Sequence, residues 1–268
     1  MSKSLFRTYL RNPITTLSKL LFQRRQGLDV NVGIFEESDS KPKTSRSTFH
    51  TLKPGEYIKF GRYPQKSDGK RSLIEWLVLE ISGNEALLLS RYALDCRQYH
   101  HEHVLNMTWD QCDLRKWLNN YFLKTAFSEE EIKRIKVSEL RNDEPDNPWT
   151  TGNTTRDRVF CLSIEEAGAY FLNNKERVCY ATEYARMQGA TCYRRLTTWY
   201  TCEYWLRSPG SGVGTDGTLN LHGIFVDHVH LAVRPALRII YNLESSVCVL
   251  QSPSPSLNPG NELVLTEQ

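Results

Sequence analysis

The densest run of chemically capable residues is Tyr99-His100-His101-Glu102-His103. Three imidazoles and a carboxylate are suitable ligands for zinc or another divalent ion. Their spacing predicts no site made from this run alone. On a strand, His101 and His103 share one face while His100 and Glu102 point away; on a helix, adjacent residues diverge by about 100°. A metal would need ligands from elsewhere, such as His222, His228 or His230, and the run reads as a solvated polar loop. His228 and His230 stand two apart where Val229, Leu231 and Val233 alternate with polar residues, so both imidazoles are expected on one strand face. Asp227 is the sole carboxylate close to them in sequence, so the pair suits contact with a polar ligand better than a metal.

Covalent catalysis has little support. Ser208-Pro209-Gly210-Ser211-Gly212 lacks the strand-nucleophile-helix setting of a hydrolase elbow. Gly210, Gly212 and Gly214 lead into neither a Gly-Lys-Ser/Thr phosphate loop nor a helix. The seven cysteines, at positions 96, 112, 161, 179, 192, 202 and 248, include no C-x2-C pair and read as free thiols of a reducing, cytoplasmic compartment. A thiol enzyme would need a spatial pairing, for instance Cys202 with a strand histidine. Arg207 and Arg234 each close an apolar or aromatic run before a turn-forming Ser-Pro or Pro. A five-donor guanidinium there ties loop carbonyls or a carboxylate, so both are expected to be structural clamps.

These residues must be held by recognisable elements. Residues 74–81 and 85–90 are apolar runs joined through Ser82-Gly83-Asn84, which predicts a hairpin. Capping-box spacings at Thr108/Gln111, Ser128/Glu131 and Ser163/Glu166 predict three helix starts. The first of these carries Leu114, Trp117, Leu118, Tyr121 and Phe122 on one face. Short strands are expected at 56–60, 159–162, 199–207, 218–222, 229–233 and 237–240. Early helices followed by clustered short strands argue for an α+β fold. Four segments follow: a basic amphipathic stretch at 1–33, a polar linker at 34–53, a folded domain at 54–243 and a Ser/Pro-rich, unpacked tail at 244–268. The first is rich in Lys and Arg against a single Asp29, and suits docking on a partner protein or peripheral attachment to an anionic membrane. The whole chain has 34 basic and 31 acidic residues, which argues against nucleic acid as a partner. It contains no apolar run near the ~20 residues of a membrane span.

Tyr204-Trp205-Leu206-Arg207-Ser208-Pro209-Gly210, Asp216-Gly217 and Val233-Arg234-Pro235-Ala236-Leu237 resemble the C-terminal signature of a bacterial family of uncharacterised domains. Upstream, Phe60-Gly61-Arg62-Tyr63-Pro64-Gln65, Ile74–Leu79, Tyr92–Asp95, Leu114–Asn119, Val159-Phe160 and Leu162–Ala167 fit the same series, over about residues 54–241. That family is similar to C-type-lectin-like domains of the formylglycine-generating-enzyme type. Some relatives of that fold are variable proteins diversified by retroelements, with a changing C-terminal surface on a fixed framework. The resemblance implies short helices with a small, mainly antiparallel sheet, and a non-enzymatic protein that recognises a protein or small-molecule ligand without metal or cofactor. It makes Trp205, Arg207, Pro209, Gly210, Arg234 and Pro235 framework. It makes Ser211, Thr215, Asn220, His222, Phe225, Asp227, His228 and His230 the ligand-facing set. Tyr204 stands where the signature has Trp, and Ala232 where it has Gly. No counterpart of the paired copper-binding cysteines of formylglycine-generating enzymes is found, which lowers an enzymatic role. The alternatives are a cysteine-dependent modifying enzyme using Cys192 or Cys202, or a pocketless scaffold subunit. For calcium, residues 208–232 offer only Asp216, Asn220 and Asp227 as oxygen ligands.

Overall fold

The computed structural model describes residues 52–142, 152–195, 199–221 and 223–241, and the backbone of 249–250. Along the chain come β1 (Tyr57–Pro64), β2 (Arg71–Ser82), β3 (Glu85–Ser90) and β4 (Asp95–Cys96). Helix α1 (Asp113–Trp117) runs through a π turn at Leu118–Phe122 into α2 (Leu123–Ala126), followed by α3 (Glu129–Arg134). Then follow β5 (Ser138–Leu140), β6 (Thr155–Asp157), β7 (Val159–Phe160), α4 (Ile164–Tyr170), α5 (Asn174–Arg177), β8 (Cys179–Tyr180) and α6 (Glu183–Met187). The last part is β9 (Cys192–Arg195), β10 (Trp199–Cys202), β11 (Tyr204–Trp205), β12 (Gly212–Val213), β13 (Leu219–Asn220), β14 (Ala232–Val233), β15 (Ala236–Ile240) and β16 (Val249–Leu250).

Short helices and several small sheets make this a mixed α+β fold. The largest sheet has the order β16-β1-β2-β3-β15-β7, and a second has the order β13-β12-β11-β14-β4. A third has the order β8-β10-β9 and β5 pairs with β6 as a ribbon; among the described residues every strand pair is antiparallel except β11 with β14. The expected hairpin forms: Ser82 pairs with Glu85 across a two-residue loop, and Gly83 takes φ +59°, which costs glycine little. One face of this sheet is closed by the α1–α2 segment, where Trp76, Phe60, Phe122 and Phe127 pack ring on ring. Trp76, Trp109, Trp205, Tyr63, Tyr99 and Phe122 are fully buried and dominate the core.

Two capping boxes form as expected, at Ser128 with Glu131 and at Ser163 with Glu166. The third does not. The Thr108 hydroxyl donates to Asp110 Oδ1 at 2.5 Å, and the amides of Gln111 and Cys112 turn back to the Thr108 carbonyl. The helix therefore starts at Asp113, with Cys112 Sγ accepting from the Arg115 amide at 3.4 Å. The strand expected over 199–207 is broken at Glu203: β10 joins one sheet and β11 another, while the Glu203 carbonyl accepts from the Ala232 amide. The tail is not wholly unpacked, because Val249–Leu250 pair along β1. The segment expected at 1–33 and nearly all of the linker lie outside the described residues.

Candidate functional site

The 203–241 region is organised around buried arginines and aromatics. Arg207 is 5% exposed and makes four hydrogen bonds. Its Nε donates to Asn142 Oδ1 (3.0 Å), Nη1 to the Cys161 carbonyl (3.0 Å) and Glu166 Oε2 (2.9 Å), and Nη2 to the Arg141 carbonyl (3.3 Å). Arg234, equally buried, donates to the carbonyls of Ser90 and Arg177 and to the Tyr204 hydroxyl, and lies over the Tyr204 and Phe171 rings. Trp205 donates from its indole to the Arg97 carbonyl at 2.7 Å and packs on Tyr99, whose hydroxyl donates to the Arg207 carbonyl at 2.6 Å. Pro209 and Pro235 are buried, and Gly210 takes φ +65° in the loop after β11.

This frame sets the 96–100 segment beside 226–231. The His100 amide donates to the Val226 carbonyl, Gln98 Nε2 to the Asp227 carbonyl, Cys96 Sγ to the Val229 carbonyl and the Arg97 amide to the Leu231 carbonyl. Asp95 fixes the start of that segment, accepting from the Tyr63 hydroxyl at 2.5 Å and the Cys96 amide at 2.7 Å. Burial pushes its carboxyl pKa upward, against the hydrogen bond from Tyr63 and the charge of Arg97. The two histidine groups that are distant in sequence thus share one edge of the molecule. His103 Nδ1 lies 3.1 Å from Asp227 Oδ1, and its ring packs on Phe225 at 4.9 Å. His228 and His230 do not alternate on a strand. They lie in a turn closed by the His228 amide on the Phe225 carbonyl, with their rings 5.8 Å apart and His230 Nδ1 at 3.0 Å from the Gly189 carbonyl.

The residues expected to face a ligand are not all exposed. Phe225, Asp227, His228 and His230 gather beside β4. Asn220 is exposed on β13, an edge strand of the five-stranded sheet, where it pairs with Gly212 of β12. Thr215 is half-buried in the β12–β13 turn, where Gly217 takes φ +83° and accepts from Arg177 Nε. Ser211 is a correction: it is fully buried, its amide and carbonyl closing the 206–211 loop, and it belongs with the frame. His222 lies outside the described residues.

A residue that the sequence reading passed over completes the histidine loop. Asp113, the first residue of α1, presents Oδ2 to His100 Nδ1 at 2.9 Å and to His101 Nδ1 at 2.5 Å. The Asp113 hydrogen bond raises the His101 pKa. Although partial burial opposes it, that same bond and Lys116 hold Asp113 below the usual carboxylate range. These imidazole and carboxylate atoms all lie within 4.8 Å of one another, close enough to share a cation. The signal was hidden because the contact spans a turn of irregular length, outside any strand or helix periodicity.

The thiols offer less chemistry. Cys179, Cys202 and Cys192 stand abreast on β8, β10 and β9. Cys202 is raised far up by its hydrogen bond to Cys179 and by burial, and burial pushes Cys192 up to about 11. Cys179 is lowered, because the Cys202 thiol and Arg234 outweigh its burial, yet it is almost completely enclosed. Cys192 Sγ donates to the Ala190 carbonyl and Cys202 Sγ to the Cys179 carbonyl, so neither is directed at an imidazole base. A cleft of about 480 Å³ lined by Lys136, Ser138, Glu139, Arg156 and Arg238 shares no residue with the histidine edge. No described helix is long and apolar enough to cross a membrane.

Comparison with known proteins gives one match. The model of a family described as a domain of unknown function, DUF6273, covers residues 83–240, more than half of the chain. No curated protein and no solved structure matches it significantly.

Proposed function

We propose, for a chain that belongs to the DUF6273 family of domains of unknown function, a non-enzymatic role in which the 221–230 segment recognises a ligand. One observation carries this reading. Leu221, Phe225 and Val229 are 63%, 59% and 51% exposed, on the stretch of chain between the deeply buried Trp205–Arg207 and Arg234. Three large exposed apolar side chains on one irregular segment suit contact with a partner, and anchoring that segment at both ends to a rigid frame lowers the entropy lost on binding. His103 packs on Phe225 and pairs with Asp227, so hydrogen-bonding groups adjoin the aromatic ring, the mixture of apolar anchor and polar rim found where proteins meet. The open loop favours a protein or peptide ligand over a small molecule, which wants a concave pocket. A C-type-lectin-like arrangement, in which a C-terminal loop binds, agrees with the short helices and small antiparallel sheets. The basic 1–33 segment would attach such a binder to a partner or membrane surface.

The thiol-enzyme alternative draws less support, since Cys202 is enclosed and donates to a carbonyl. The test is selection of a displayed peptide library on the full chain, followed by affinity measurement with Phe225→Ala and Val229→Ala. Removing a central aromatic anchor weakens binding by about tenfold or more. Selected peptides that bind the two variants as tightly as the parent protein would end the proposal. Retroelement diversification is tested separately, by sequencing codons 199–241 across a population of the source strain. Changes at Phe225, Asp227, His228 and His230 over a constant Trp205, Arg207 and Arg234 would support it, and a uniform sequence would oppose it.

A further inference from the structure

We infer that His100, His101 and Asp113 form a binding site for a first-row divalent transition metal such as zinc. This goes beyond the recognition reading and does not depend on it. Two imidazole nitrogens and one carboxylate oxygen converge at this point, His100 Nδ1 and His101 Nδ1 both facing Asp113 Oδ2. Nitrogen donors select zinc-like ions over calcium and magnesium, which prefer oxygen.

The second observation comes from His100. The residue is only 8% exposed, and its Nδ1 is completely buried without a hydrogen-bond partner, although Asp113 Oδ2 is 2.9 Å away. The oxygen is thus close to the nitrogen but off its N–H axis. A cation shared between the two groups would hold them at such an offset. With metal–ligand bonds of about 2.0–2.1 Å, an oxygen 2.9 Å from the nitrogen stands about 45° off the nitrogen's lone-pair direction. A buried ring nitrogen aimed past its nearest acceptor has a use for a metal that it lacks for a proton. The ligand spacings of 2.9 and 2.5 Å fall short of the ~3.3 Å edge of a tetrahedral zinc site, so the groups must spread by less than 1 Å. The His101 and Asp113 side chains, 66% and 36% exposed, are free to do so.

The arrangement has a fixed wall and an open side. His100 is held from behind by its amide on the Val226 carbonyl, and Asp113 by its place at the start of α1 beside the buried Leu114. His101 and Glu102 face solvent, with His101 Nε2 3.5 Å from Glu102 Oε1. Three protein ligands leave at least one coordination position for water or for a donor group brought by a partner. Lys116 Nζ lies 3.1 Å from Asp113 Oδ1, while Oδ2, which faces both imidazoles, also accepts from the His101 amide at 3.2 Å.

The experiment uses the full chain and zinc alone, with affinity read by competition against a chromophoric chelator. Cobalt(II) serves as the spectroscopic probe. The parent protein is expected to take up one equivalent of zinc and to give cobalt bands of a nitrogen-ligated ion. His101→Ala and Asp113→Asn, both at accessible positions, should each weaken zinc binding by about tenfold or more. His228→Ala/His230→Ala should leave it unchanged. No zinc uptake by the parent, binding undiminished in His101→Ala and Asp113→Asn, or loss in the His228/His230 variant would each overturn the assignment. Circular dichroism of every variant separates loss of ligands from loss of fold.

Discussion

Replacing Arg207 tests whether the buried guanidinium holds the loop frame. Its Nη1 serves both the Cys161 carbonyl and Glu166 Oε2, while Nε and Nη2 hold Asn142 Oδ1 and the Arg141 carbonyl. The same Glu166 carboxylate accepts from the Ser163 amide and so closes the capping box of α4. In Arg207→Ala these acceptors lose their donor, the Cys161 carbonyl inside the protein and the others in part-buried positions. Three neutral bonds at about 1 kcal/mol each contribute about 3 kcal/mol. The Glu166 pair adds about 1 kcal/mol, discounted because its carboxylate is 29% exposed and rehydrates on loss of its partner. The expected loss is about 4 kcal/mol, a large part of the 5–15 kcal/mol typical of a folded domain. Arg207→Lys keeps the charge but not the planar fork, so it should recover less than half of that loss. Urea unfolding followed by tryptophan fluorescence measures both. A loss below about 1 kcal/mol in Arg207→Ala, or full stability in Arg207→Lys, would refute the reasoning. An alanine variant too unstable to purify leaves the lysine variant as the deciding measurement.

Four further outcomes are expected. Gly217→Ala should destabilise by about 2 kcal/mol or more in thermal unfolding, because φ is +83° and a Cβ would collide with the Asn174 carbonyl. Phe225→Ala should change stability by less than about 0.5 kcal/mol, its ring being 59% exposed, so any loss of peptide binding reports on contact alone. Iodoacetamide at pH 8 should modify Cys192 slowly and the buried Cys96, Cys112, Cys161, Cys179 and Cys202 only on unfolding, as mass spectrometry of digests would show. With its pKa pushed up to about 11, Cys192 is about one part in a thousand thiolate at that pH; a rapid reaction would favour the thiol enzyme. Asp95 has its pKa raised in the folded state by burial, so the folded protein binds the extra proton. Its contribution to stability therefore falls as pH rises from the unfolded value, about 3.9, through the raised folded one. Asp95→Asn should flatten that slope in urea titrations across acid pH, and an unchanged slope would exclude Asp95 as its source.

The parts of the fold that sequence discloses are those set by local chemistry. Ser82-Gly83-Asn84 announces its hairpin because a two-residue turn demands the conformation that Gly83 supplies. Ser128 and Ser163 announce their helices because each hydroxyl and its Glu partner satisfy one another within four residues. Thr108 has the same spacing and fails, since Asp110 two residues on competes for its hydroxyl. Local pattern cannot see that competition. The broken strand at Glu203 is hidden for a different reason: 199–205 is continuously suited to β-structure, and which sheet each half joins is decided by β8 and β14, far away in sequence.

The candidate site divides along the same line. Each cluster was legible as residue types, but its partners were not. Asp113 goes unmarked in the sequence, because the path from His101 to it crosses the irregular 102–112 turn. The resemblance groups eight residues as ligand-facing, and the structure buries one of them, Ser211. The consequence is physical: a ligand gripping the whole expected set would need Ser211, which lies inside the protein. A ligand held by Phe225, Asp227 and His228 need reach only across one loop. The smaller footprint sits beside His100, His101 and Asp113, joined to them through the His100–Val226 backbone bond. Apolar anchor and metal-binding geometry therefore share one edge, and a partner bringing both an aromatic group and a donor for the open coordination position would engage the two at once.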